Sequence, residues 1–89
     1  MAKFLVIHPV GSEMTVETGG PVAKAIKAQC NGDAYWRRSY YVPETGALYC
    51  LWDAKDGDAI LAVMAKAAPD FPAEGPYPIA MDIHSEDFR

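Results

Sequence analysis

The side chains in this 89-residue chain best equipped for chemistry are its two histidines, His8 and His84, and its two cysteines, Cys30 and Cys50. An imidazole offers a proton or a lone pair near neutral pH, and a thiolate is a soft ligand or a nucleophile. His8 and Cys50 form the best pair, because the strands that carry them are expected to be antiparallel neighbours. Imidazole plus thiolate suits a borderline or soft divalent ion such as nickel, copper or zinc. Two ligands do not close a site, so a carboxylate or a partner subunit would have to contribute. The plainer reading makes Cys50 a small packed residue and His8 a hydrogen-bonded strand residue. His84 is expected at the far end of another strand, away from His8. Cys50 in mid-strand has no helix end to activate it as a nucleophile.

Other constellations say less. The run D-A-K-D-G-D, Asp53 to Asp58, lacks the alternating acidic order and distal glutamate of a calcium loop, and reads as helix capping. Arg37 and Arg38 stand among Tyr35, Trp36, Tyr40 and Tyr41, which raises RNA stacking as an option. A net charge of -4 argues against that and against DNA binding. No phosphate loop, dinucleotide fingerprint, nucleophile elbow or zinc-protease motif is present, so nothing points to a nucleotide cofactor.

These residues must be positioned by ordinary elements. Lys3 to Val10 alternates, with Phe4, Val6, His8 and Val10 on one face and Leu5, Ile7 and Pro9 on the other; apolar residues on both faces predict a central strand. Gly19-Gly20-Pro21 is expected to open a helix with Val22, Ala25, Ile26 and Cys30 as its apolar stripe. Asn31-Gly32 should end it in a left-handed conformation. Two strands follow, about Ala34 to Val42 and Ala47 to Trp52, joined by a Pro43-Glu44-Thr45-Gly46 turn in which glycine takes φ > 0. Asp56 caps a second helix whose buried stripe is Ile60, Val63, Met64 and Ala67. A proline-rich loop then leads to a last strand bearing Ile79, Met81 and Ile83. The order β-α-β-β-α-β predicts a ferredoxin-like α+β sandwich over residues 1–89, a four-stranded antiparallel sheet with two helices on one face.

Such a sheet leaves one face open, and the strands carry apolar residues there too, which predicts a homodimer packed sheet to sheet. A 51% hydrophobic and 22% charged composition describes an ordered globular chain. No apolar run is long enough for a membrane span and no signal peptide is evident, so the expectation is a cytoplasmic protein with reduced thiols.

The hairpin carries a family resemblance. Trp36, Ser39-Tyr40, the Pro43-Glu44-Thr45-Gly46 turn and Tyr49-Cys50-Leu51 running to Asp53 resemble a family of small bacterial ferredoxin-like domains of unknown function. That family includes an actinobacterial nickel-binding type, whose start is similar to M-A-K-F followed by His8. The resemblance implies the ferredoxin-like fold, self-association and a transition-metal site, with nickel as the implied ion and His8 and Cys50 as the carried-over ligands. Such proteins often have a histidine in the second helix, where this chain has Met64.

The leading expectation is therefore a small homodimeric metal-binding protein rather than an enzyme. An alternative is a dimeric α+β barrel that binds or acts on a small aromatic or carbonyl compound, with a ligand pocket of Trp36, Tyr40 and Trp52 beside His8. A third is a purely structural interaction module.

Overall fold

The computed structural model describes residues 1–88. Its elements are β1 (Ala2–Pro9), α1 (Val16–Gln29), β2 (Ala34–Val42), β3 (Ala47–Ala54), α2 (Gly57–Ala67), β4 (Glu74–Pro78) and a short 3-10 turn at Ser85–Phe88. The strands form one antiparallel sheet in the order β2-β3-β1-β4, the ferredoxin-like arrangement. β1 is central, as its two apolar faces require. Phe4, Val6 and His8 are buried under the helices, whereas Leu5 and Ile7 on the open face are half-buried. In β3 the corresponding inward set is Cys50, Trp52 and Ala54, and α2 closes the core with Ile60, Val63 and Met64.

The hairpin turn forms as expected. Gly46 has φ +67°, and its N–H donates to Pro43 O at 3.0 Å. Its carbonyl accepts from Val10 N at 3.0 Å and Gly11 N at 2.9 Å, which fastens the turn to the end of β1. Asp56 caps α2 by accepting from Ala59 N at 2.9 Å.

Four local expectations are corrected. α1 begins at Val16, before the Gly-Gly-Pro run, because Thr15 and Thr18 form a reciprocal capping box. Pro21 consequently lies inside the helix. Neither Asn31 nor Gly32 has positive φ; Asn31 works through its side chain, which accepts from Asp33 N at 2.8 Å and Ala34 N at 3.2 Å. The fourth strand is Glu74–Pro78, within the proline-rich stretch, and Ile79, Met81, Ile83 and His84 all lie beyond it. Proline is tolerated there because β4 is an edge strand with one unpaired side. β2 bulges at Arg37, between the Trp36↔Trp52 and Arg38↔Leu51 pairs. The extra residue shifts the alternation, so Trp36 and Ser39 face the helices and Tyr40 faces out.

Candidate functional site

His8 pairs with Leu48 across the sheet, and Val6 pairs with Cys50. His8 and Cys50 are therefore diagonal neighbours on one face, close enough for long side chains to interact. Both line a cavity of about 30 Å³ between α1 and the sheet, together with Met14, Trp36, Ser39 and Trp52. His8 is 0% exposed and Cys50 is 4% exposed.

The protonation of His8 follows from its surroundings. Burial pushes its pKa below the ordinary 6.5, against the smaller opposing effect of a backbone hydrogen bond, so the ring is neutral at pH 7. Its Nδ1 lies 2.8 Å from Pro72 O. A carbonyl only accepts, so the single ring proton is on Nδ1 and the lone pair is on Nε2. That Nε2 is buried without a hydrogen-bond partner. The Phe71 ring, 4.6 Å from the imidazole centroid to centroid and tilted by 31°, packs against it. A neutral histidine whose Nδ1–H is held by a backbone carbonyl is oriented as metal-ligating histidines are.

Cys50 is oriented by a second set of bonds. Trp36 Nε1 donates to Ser39 Oγ at 2.8 Å, and Ser39 Oγ donates to Cys50 Sγ at 2.8 Å. Burial pushes the Cys50 thiol up from its ordinary 9.0, and the Ser39 hydroxyl partly opposes that shift. Cys50 is thus a protonated thiol at neutral pH, with a hydroxyl ready to stabilise the thiolate when the proton leaves. Trp52 Nε1 is the other buried polar atom without a partner among the described residues.

The remaining candidates separate. Trp36 and Trp52 share the His8–Cys50 cavity, but Tyr40 is 54% exposed on the opposite face of the sheet. Trp36, Tyr40 and Trp52 therefore do not assemble one ligand pocket beside His8; the bulge at Arg37 reverses the direction of Tyr40. Pockets for organic ligands are about 300–1,000 Å³, roughly tenfold or more larger than this cavity. His84 lines a groove of about 490 Å³ on the open face with Lys3, Arg37, Arg38 and Met81, and its Nε2 is 3.3 Å from Asp82. His8 and His84 are thus kept apart by the sheet itself. Cys30 is a half-buried free thiol that accepts the Trp36 backbone N–H at 3.5 Å.

Among the described residues, no group of three or more histidine, cysteine, aspartate or glutamate side chains is placed to hold a metal ion. The interior site offers one imidazole nitrogen and one thiol from that set. Its other contributors, Ser39, Met14 and the Pro72 carbonyl, were not singled out as site residues from the sequence. Ser39 stands in the diagnostic hairpin motif, but Met14 and Pro72 lie in loops that give no local signal.

No helix is long and apolar enough to cross a membrane among the described residues. No curated protein matches the sequence. The crystal structure of SCO4226 from Streptomyces coelicolor A3(2) superposes with a TM-score of 0.78 at 18% identity, covering 92% of this chain and 100% of that one. At that identity the likeness speaks to the fold alone. The family model for nickel responsive protein SCO4226-like matches residues 4–75, a span that takes in most of β1, both helices, the hairpin and the start of β4. The chain belongs to the SCO4226-like family of nickel responsive proteins.

Proposed function

We propose that this protein is a small cytoplasmic homodimeric binding protein, not an enzyme, that holds a transition-metal ion at the interior His8–Cys50 pair. One observation carries the reading. His8 is fully buried, its Nδ1–H is committed to Pro72 O, and its Nε2 lone pair is left without a partner beside a buried thiol. A buried polar atom without a partner costs about 1–3 kcal/mol, and a bound metal would remove that cost. The nickel in the family's description supports the ligand class.

The dimer rests on the open sheet face. Leu5, Ile7, Tyr49 and Leu51 are only half-buried there, and Tyr40 is exposed. An apolar sheet face of this kind is a common association surface.

Native mass spectrometry tests both parts together. The protein is measured alone and with Ni(II), Zn(II) or, under reducing conditions, Cu(I). The expected result is a dimer mass that gains one ion per chain with at least one of these metals, and loses that gain in His8→Ala and Cys50→Ser. An unchanged mass with every metal, or full retention in both variants, would overturn the metal reading. A monomer at all concentrations would overturn the dimer.

A further inference from the structure

We propose that the cavity beneath α1 is a site for one monovalent copper ion, held by His8 Nε2, the Cys50 thiolate and the Met14 thioether. This inference rests on the reading that the His8–Cys50 pair binds a transition metal, and it names the metal.

The donor types argue first. Thiolate and thioether sulfur select Cu(I) among first-row ions, and imidazole is compatible with it. All three side chains line one cavity, whereas no carboxylate does. Ni(II) and Zn(II) favour four or more donors, and among the described residues no third histidine, cysteine, aspartate or glutamate is placed to join the pair. A Cu(I) ion is satisfied by two or three ligands.

Charge argues second. The cavity is lined mainly by apolar groups, including Val22, Ile26 and Leu48 from α1 and β3. One thiolate neutralises a monovalent ion completely. The same thiolate would leave a divalent ion with a net positive charge in an apolar interior, where unpaired charge is costly. Binding replaces the Cys50 Sγ–H bond by an Sγ–Cu bond and releases one proton to solvent. The copper enters and stays as Cu(I), so no electron is transferred.

The position of Met14 argues third. It precedes α1 and its side chain lies against Gly19, inside the helix. Glycine in a helix interior costs about 1 kcal/mol relative to alanine. At Gly19 that cost has a local reason, because a Cβ would collide with Met14 Cε. At neighbouring Gly20 a Cβ would meet nothing within 4 Å. Gly19 thus makes the space in which the thioether reaches the cavity. The Trp36–Ser39–Cys50 hydrogen bonds add an orienting shell around the thiolate, of the type that ligating groups commonly have.

The test is an anaerobic competition between the intact protein and a chromophoric Cu(I) chelator, with Ni(II) titrated in parallel. The expected result is one Cu(I) per chain with a thiolate-to-copper charge-transfer band. Cys50→Ala and His8→Gln should abolish tight binding, and Met14→Leu should weaken it about tenfold or more. Cys30→Ser and His84→Ala should leave it unchanged. X-ray absorption on the loaded wild-type protein reads the ligands without any variant, and one nitrogen and two sulfur neighbours are expected. A shell of nitrogen and oxygen only, or undiminished affinity in Met14→Leu or Cys50→Ala, would overturn the assignment. One Ni(II) bound through His8 and Cys50, with no Cu(I) retained, would overturn the copper inference and leave the proposed function standing. Retention of neither metal would overturn the copper inference, and the proposed function with it if Zn(II) is not retained either.

Discussion

The two faces of the sheet are built from the same strands and do opposite things. On the helix side, Phe4, Val6, His8, Cys50 and Trp52 are excluded from water, and each polar atom there has a fixed partner or a conspicuous lack of one. On the open side, Lys3, Arg37 and Asp53 form solvent-accessible ion pairs, with N–O distances of 3.2 and 3.5 Å to Asp53. Exposed pairs of that kind contribute about 1 kcal/mol or less. The difference locates strong interactions on the face where water cannot compete, and that is the face that holds His8 and Cys50. The open face, by contrast, is a surface for contact.

The largest effect expected from this contrast is on stability. Trp52→Ala should cost about 3–5 kcal/mol, since it empties a fully buried site and leaves a cavity. Leu51→Ala, one residue along but facing out, should cost about 1 kcal/mol in the monomer. Urea denaturation of the two variants checks the ratio, and equal losses at concentrations where the protein is monomeric would break the distinction between faces.

The pH dependence of stability sharpens it further. The folded pKa of His8 is lowered, so below about pH 6.5 the unfolded chain takes up a proton that the folded chain refuses. Stability therefore falls as pH drops through that region, by at most about 1.4 kcal/mol per pH unit. The folded pKa of Cys50 is raised, so above about pH 9.0 the unfolded chain loses a proton that the folded chain keeps, and stability falls as pH rises. Unfolding free energies across this range should show both limbs. His8→Gln should flatten the acid limb and Cys50→Ala should lessen the alkaline one, while Leu51→Ala should alter neither slope.

Smaller effects probe the supports of the site. Ser39→Ala removes the acceptor of Trp36 Nε1 and the donor to Cys50 Sγ, and should cost about 1–2 kcal/mol. Tryptophan fluorescence and thermal melting report both changes. The adjacent glycines give the finest comparison. Gly20→Ala should stabilise α1 by up to about 1 kcal/mol, because nothing obstructs the new methyl group. Gly19→Ala should forfeit that gain, because Met14 must move. A thermal melt distinguishes them by the sign of the shift.

Much of this was legible in the sequence, for physical reasons. Apolar residues on both faces marked β1 as central, the expected strand order made the strands of His8 and Cys50 neighbours, and Gly46 marked the hairpin. What the sequence concealed depends on single residues with non-local causes. Trp36 and Tyr40 have the same parity in a regular strand, and only the bulge at Arg37 sends them to opposite faces. The early start of α1 turned on a Thr15–Thr18 capping box that lacks the usual acidic partner, and the glycines and proline within it mimic a helix start. β4 was hidden by prolines that only an edge position tolerates. The Pro72 carbonyl that fixes the His8 tautomer belongs to the backbone, so its residue type carries no hint of the role.

The central claim is that the metal site lies on the helix-covered face, at His8, and not on the open face, at His84. Long-range proton–nitrogen correlation spectra of the two imidazoles test it most directly. Without metal, His8 should appear as the neutral tautomer protonated at Nδ1. On addition of metal, the account predicts a large shift of His8 Nε2 with Nδ1 still protonated, and an unchanged His84. A metal-dependent shift confined to His84, with His8 unmoved, would contradict it.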